Sequence, residues 1–225
     1  MLTRANFLRG AVAALPLLAT GRVALAQSDQ QAVIDGARKT LADLHRDKAF
    51  GNARALLRKA EAVMIVPKLW KGGFIVGGEG GEGVLMVRGK SGWSDPAFYA
   101  IGSASFGLQI GLQQAEMVML VMTQKGVQAL LRDEFKFGAQ AGIAVANLGS
   151  GVEGAIGGAS PPDIVVWSSG TGVYGGLTLE GSLIKPQPED DRAFYGRPVT
   201  TREVLYGTTP SAKAAGLRQA LTGLM

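Results

Sequence analysis

The chain has 225 residues, 47% apolar, 18% charged and only 7% aromatic, with 33 glycines, one histidine and no cysteine. That length supports one domain with a self-sufficient core. The missing residue types exclude disulfides, cysteine nucleophiles, thiolate zinc sites and multi-histidine metal sites. The formal charge of +5 is spread among acids and forms no dense basic face, so the composition argues against a nucleic-acid binder.

The first 26 residues read as an export signal. Arg4 and Arg9 make a positive start, Ala11-Val-Ala-Ala-Leu-Pro-Leu-Leu-Ala19 an apolar centre, and Ala24-Leu-Ala26 a small-x-small cleavage pattern. The apolar stretch is too short to span about 30 Å of hydrocarbon. Its Arg4, Arg9 and Arg22 have no acid among them, so a mature chain beginning at Gln27 carries a charge of only +2. An exported, cysteine-free chain is expected in the bacterial periplasm or cell envelope, by a Sec or Tat-like route and without a lipobox cysteine.

The remainder, 27–225, reads as one domain. Val33, Ile34, Ala37, Leu41 and Leu44 recur at helical spacing, with Ser28 or Asp29 as a candidate cap. The stripe is Ala-rich and lacks Trp, which favours packing on a sheet over lying in a membrane surface. A second helix follows Gly51 with Ala53, Leu56 and Leu57. Strands come next: Ala62-Val-Met-Ile-Val66 ending at Pro67, then 73–76, 84–87, 97–101, 106–110, 117–122, 140–145, 164–167 and 173–179. Of the 33 glycines, 25 lie between Gly72 and Gly181. Glycines inside strands mark bulges, bends and close backbone approach. The expected fold is α+β: a Gly-rich, mostly antiparallel coiled sheet or barrel-like body with helices at both ends. One helix, over 124–135, interrupts the strands. Pro186–Asp191 reads as a solvated acidic loop, Thr200 and Glu203 as a capping box, and Pro210 as the start of a last helix.

Catalytic motifs do not assemble. Gly78-Glu-Gly-Gly-Glu-Gly83 matches a dinucleotide fingerprint in letters, but a strand follows it where a helix is required. It reads as a tight hairpin, and Glu79 and Glu82 would repel phosphate. His45 sits among charges on a polar helix face. Glu153 and the run Glu189-Asp190-Asp191 read as exposed. No acid, base and nucleophile converge, so neither catalysis, a metal nor a cofactor is expected.

Several ordered blocks carry a resemblance. They are Lys59-Ala-Glu-Ala-Val-Met-Ile-Val-Pro67, Lys71-Gly-Gly-Phe-Ile-Val-Gly-Gly78, Gly92-Trp-Ser-Asp-Pro-Ala97, Gly172-Val-Tyr-Gly-Gly-Leu-Thr-Leu-Glu-Gly-Ser182 and Phe194-Tyr-Gly196. In this order they resemble the SYLF-domain family. The resemblance implies a non-enzymatic module that binds membrane phospholipid, phosphoinositides in eukaryotic members, with actin binding among yeast relatives. Actin is not an expected partner of an exported bacterial chain. Glu79 stands where eukaryotic members carry arginine, which points to a plainer anionic or zwitterionic lipid, anionic being favoured. Lys59, Lys68, Lys71, Arg88 and Lys90 are the candidate lipid-facing cations. Trp70 is the candidate for apolar insertion, with Leu69 and Phe74 beside it. The alternative is an envelope structural or protein-interaction domain with no lipid ligand.

Overall fold

The structure, a computed structural model, describes residues 15–46, 54–73, 76–106, 111–137, 145–147, 162–169, 181–207 and 210–225. The elements in chain order are α1 (Leu15–Arg46), α2 (Arg54–Lys59), β1 (Ala62–Gly73), β2 (Val76–Gly89), β3 (Gly92–Trp93), β4 (Ala97–Phe106), β5 (Gly111–Val121), α3 (Gln124–Leu130), β6 (Phe135–Lys136), β7 (Val145–Asn147), β8 (Ile164–Ser169), β9 (Leu183–Pro186), α4 (Pro188–Tyr195), α5 (Thr201–Tyr206) and α6 (Ala215–Gly223), the last preceded by a 3-10 turn at Ala212–Ala214. The strands form one curled half-barrel in the order β6-β9-β4-β2-β1-β5-β8-β7, with β3 attached to β2. Each pairing is antiparallel except β7 with β8. The α+β class with terminal helices is as the sequence implies.

Both faces of this sheet are covered. One face carries Ala62, Met64, Val66, Leu85, Tyr99, Met117 and Met119 against Leu130 of α3 and Val204 and Leu205 of α5. The other carries Val63, Ile65, Val84, Met86, Val118 and Leu120 against Ile34, Ala37, Leu41 and Leu44 of α1, Phe194 of α4 and Leu217 and Leu221 of α6. Burial on two sides explains why the central strands read as unbroken apolar runs instead of alternating ones. The stripe on α1 packs on the sheet, as its composition predicts.

Three expectations need correction. Strand β1 does not end at Pro67. It continues to Gly73 through a bulge, where Ile65 faces Val84 but Lys68 faces Glu82, and where Val66 faces Met117 but Leu69 faces Ala115. The extra residue accommodates proline, which has no N–H for the ladder. It also reverses the alternation, so Leu69 joins Val66 in the first core and is 1% exposed. Leu69 is therefore core, not an insertion residue. Second, Gly78–Gly83 is no hairpin turn. It lies inside β2, paired on both sides with β1 and β4. A Cβ on Gly81 would lie 2.4 Å from Lys68 O, and one on Gly83 2.4 Å from Ile65 O. The glycines let β2 press against the bulge. Third, the acidic run 189–191 is no solvated loop: it opens α4, and Asp191 is fully buried.

Helix α1 starts at Leu15, upstream of the caps expected at Ser28 or Asp29. Gly36 brings it onto the bulge, since a Cβ there would lie 2.8 Å from Pro67 Cβ. Helix α3 stops at Leu130, five residues short of the expected end. The Thr200–Glu203 capping box is present in both directions. His45 is exposed. Phe74, Glu153 and the expected strand at 173–179 lie outside the described residues.

Candidate functional site

The bulge at Pro67 creates the local geometry of the site. Past it, Lys68 and Trp70 share one face of β1, and both are exposed, Trp70 by 43%. Trp70 and Tyr206 are the exposed large hydrophobic side chains among the described residues. Trp70 sits at register positions opposite Gly80 and Gln114, where glycine offers no side chain to cover the ring. The ring borders a groove of about 710 Å³. Asp29, Ala32 and Val33 of α1 form one wall, Pro67, Lys68 and Trp70 another, and Gly80 to Glu82 with Ala100 and Ile101 the floor.

The charges of this groove are mixed. Lys68 faces Glu82 across the β1–β2 ladder, and Asp29 faces them from α1. Burial, then the nearby Asp190 and Asp29, hold the Glu82 carboxyl above its ordinary range. Burial also raises Asp190, whose Oδ1 accepts a 2.9 Å hydrogen bond from Gln30 Nε2. One ammonium, two carboxylates and an indole thus meet at one opening. Such a set is equipped to hold a group carrying both charges, the cation over the indole and beside carboxylate, the anion on lysine.

Among the six candidate lipid-facing residues, Lys59, Arg88 and Lys90 lie apart from Lys68 and Trp70. Lys68 and Trp70 stand together. Lys71 follows on β1, paired with Glu79 and Gln113. Lys59 and Lys90 are exposed at the opposite end of the sheet, where Arg88 N donates to Glu61 O. Trp70 lies nine positions beyond Glu61 along β1, roughly 30 Å of extended chain. Arg88 is turned inward. Its Nε donates to Ala60 O at 2.8 Å and its Nη2 to Leu57 O at 2.6 Å, closing the end of α2. The guanidinium lies 4.3 Å from the centre of the Trp93 ring, and burial lowers its pKa. Its Nη1 also reaches Met225 Sδ at 3.0 Å, so the side chain ties α2, β2 and the C-terminus together.

The Trp93–Ala97 block also works as a junction. Ser94 Oγ accepts from Val87 N and donates to Asp95 O. Asp95 pairs with Arg218 of α6 and accepts from Ser211 N at 2.6 Å. Pro96 O accepts from Tyr195 Oη at 2.6 Å. Phe98 N donates to the buried Asp191. Sequence reasoning did not single out Asp29 and Glu82 as partners of Trp70. Only a search for acids facing Lys68 across a bulged register would have found Glu82, and nothing in the sequence brings Asp29 there. Among the described residues, no group of three or more His, Asp or Glu side chains is placed to hold a metal, and no helix is long and apolar enough to cross a membrane.

Comparison with known proteins identifies a family. Residues 102–224, just over half the chain, match the family Ysc84, described as "Las17-binding protein actin regulator". The human SH3 domain-containing YSC84-like protein 1 is 28% identical over 157 residues, covering 69% of this chain and 46% of the relative. Protein YSC84 of Saccharomyces cerevisiae is 30% identical over 168 residues, covering 71% of this chain and 35% of the relative. The LAS seventeen-binding protein 3 of the same species is 31% identical over 160 residues. The chain thus spans about half the length of the human relative and a third of the yeast ones. With the family's profile running from β4 through α6, this chain belongs to the Ysc84, or SYLF, family.

Proposed function

We propose that this chain is a non-enzymatic module that binds a phospholipid surface through the groove at Trp70, and that it does so in the bacterial cell envelope after export. The observation that carries this reading is the exposed indole of Trp70 beside Lys68, at a groove lined also by Asp29 and Glu82. The mixed charge favours a zwitterionic head group over the anionic one expected from the sequence. Lys68 would take the phosphate, Glu82 and Asp29 the ammonium, and Trp70 the boundary between head group and acyl chain, where amphipathic rings settle. One basic side chain near a membrane contributes only about 1 kcal/mol, so apolar insertion has to supply most of the affinity.

Export rests on the positively charged start, the apolar centre and Ala24-Leu-Ala26. Cleavage before Gln27 would shorten α1 but leave its packed face, from Ile34 onward, intact. The family description and one yeast relative's name concern Las17 binding and actin regulation. For an exported chain the membrane is the surface within reach.

Trp93 and Trp167 are 6% and 4% exposed, so a shift of tryptophan emission reports on Trp70. Vesicles of phosphatidylethanolamine and phosphatidylcholine are expected to move the emission to the blue. Trp70→Ala should abolish vesicle co-sedimentation, and Lys68→Glu should weaken it several-fold. An unchanged spectrum, with sedimentation equal to a lipid-free control, would reject the reading.

A further inference from the structure

A larger groove lies at the opposite end of the sheet, between the β2–β3 turn, α5 and α6, and encloses about 1200 Å³. Its apolar lining comes from Val204, Leu205, Pro210 and Ala215, and Tyr206 stands at it 48% exposed. Its charges are unbalanced. Arg88, Lys90, Arg197 and Arg218 line it against Asp95 and Glu203 alone. Both carboxylates are already engaged. Asp95 is held by Arg218 and Ser211 N. Glu203 accepts from Thr200 N and Thr200 Oγ1 in the capping box.

Asp95 thus offsets Arg218, and the four cations against two carboxylates leave the lining with an excess of two positive charges. Arg88 donates to carbonyl oxygens, which leave its charge intact. Lys90 is exposed on the β2–β3 turn, and Arg197 acts electrostatically on Glu203. A concave, partly apolar channel with an excess of cations is complementary to an extended chain bearing acidic and apolar side chains.

We infer that this groove docks an acidic, extended peptide segment of a partner protein. A bilayer is the poorer fit, because a flat surface meets protruding side chains, and Arg88 is tied down inside the groove by the ends of α2. The inference does not depend on the membrane reading, since the Trp70 groove lies at the other end of β1.

The test titrates the isotope-labelled full chain with a synthetic twelve-residue peptide alternating glutamate and leucine, and with the same peptide carrying glutamine for glutamate. The acidic peptide is expected to shift backbone amide signals within 88–95, 197–207 and 215–223, and the glutamine peptide is not. Lys90→Glu with Arg197→Glu should weaken binding at least tenfold, leave signals elsewhere in place, and preserve the Trp70 response to vesicles. Single Lys90→Ala and Arg197→Ala chains guard against loss of folding and should each weaken binding several-fold. Equal binding of the two peptides, unaltered binding by the charge-reversed chain, or silence at these amides would overturn the inference. So would anionic vesicles shifting the same amides while the acidic peptide does not.

Discussion

Asp191 shows how one residue joins the layers. Its side chain is fully buried, Oδ1 accepts from Phe98 N at 2.8 Å, and Oδ2 accepts from Thr201 Oγ1 at 3.0 Å. It thus ties α4 to β4 and to the start of α5. Burial outweighs these hydrogen bonds and raises the carboxyl from 3.8 to about 6. The folded state therefore holds this proton more tightly than the unfolded chain. The associated stability is complete below about pH 4 and is lost as pH rises through about 6, with an upper magnitude on the order of 3 kcal/mol. Glu82 and Asp190, also raised, act in the same direction. Urea unfolding at pH 4 to 7 should show stability falling with pH across that window. Asp191→Asn should flatten the slope. An identical slope in the variant would remove Asp191 as the titrating group. The run 189–191 looked solvated from sequence because consecutive acids normally are. The burial of one of them is set by which side of α4 meets the sheet.

At the scale of elements, the bulge in β1 and the glycines of β2 act as one device. The strand stays central despite Pro67 because β2 presents Gly81 and Gly83 where any side chain would strike the backbone of β1. Gly81→Ala and Gly83→Ala are each expected to cost about 2–3 kcal/mol, since the obstructing atoms are backbone carbonyls that cannot rotate away. Gly80→Ala, with its nearest obstacle at 3.9 Å, should stay within about 1 kcal/mol. Thermal unfolding of the three variants checks the contrast. Similar losses in all three would mean that glycine acts through chain flexibility instead of close approach. On α1, Gly36→Ala sets a helix-propensity gain of about 1 kcal/mol against contact at 2.8 Å with Pro67 Cβ. A net loss of stability is expected, with weaker seating of α1 beside the Trp70 groove. The density of glycine in this region was visible in the sequence. Its place inside a strand was not, because a run of glycines has no side-chain period to separate strand from turn.

At the scale of the molecule, the C-terminal segment is bound to the sheet by the Asp95–Arg218 pair, whose side chains are 8% and 19% exposed. Arg218 Nη2 also donates to Ser211 O at 2.9 Å. Removing one member of a largely buried pair leaves the other uncompensated, at about 3–5 kcal/mol. Asp95→Ala should therefore lower the melting temperature. Its amide exchange should rise first in α6, before the central strands β1, β2 and β5. Uniform loosening of the whole chain would show instead that α6 does not unfold as a separate unit.

Composition and patterning alone determined that this chain folds as an α+β body with a glycine-rich sheet between packing helices, because continuous apolar runs, helical stripes and caps are local features. The ordered motif blocks were enough to place it among SYLF proteins. What tertiary structure decided was which charges meet. A one-residue bulge reversed the face of Leu69, freed Lys68 and Trp70 to one side, and brought Glu82 and Asp29 to them from other elements. Contacts with Ala60 O and Leu57 O turned Arg88 inward, and Lys59 and Lys90 stand at the other end of β1 from Lys68. Such pairings depend on register and on contacts far apart along the chain, and a shift of one residue reassigns every side chain beyond it to the opposite face.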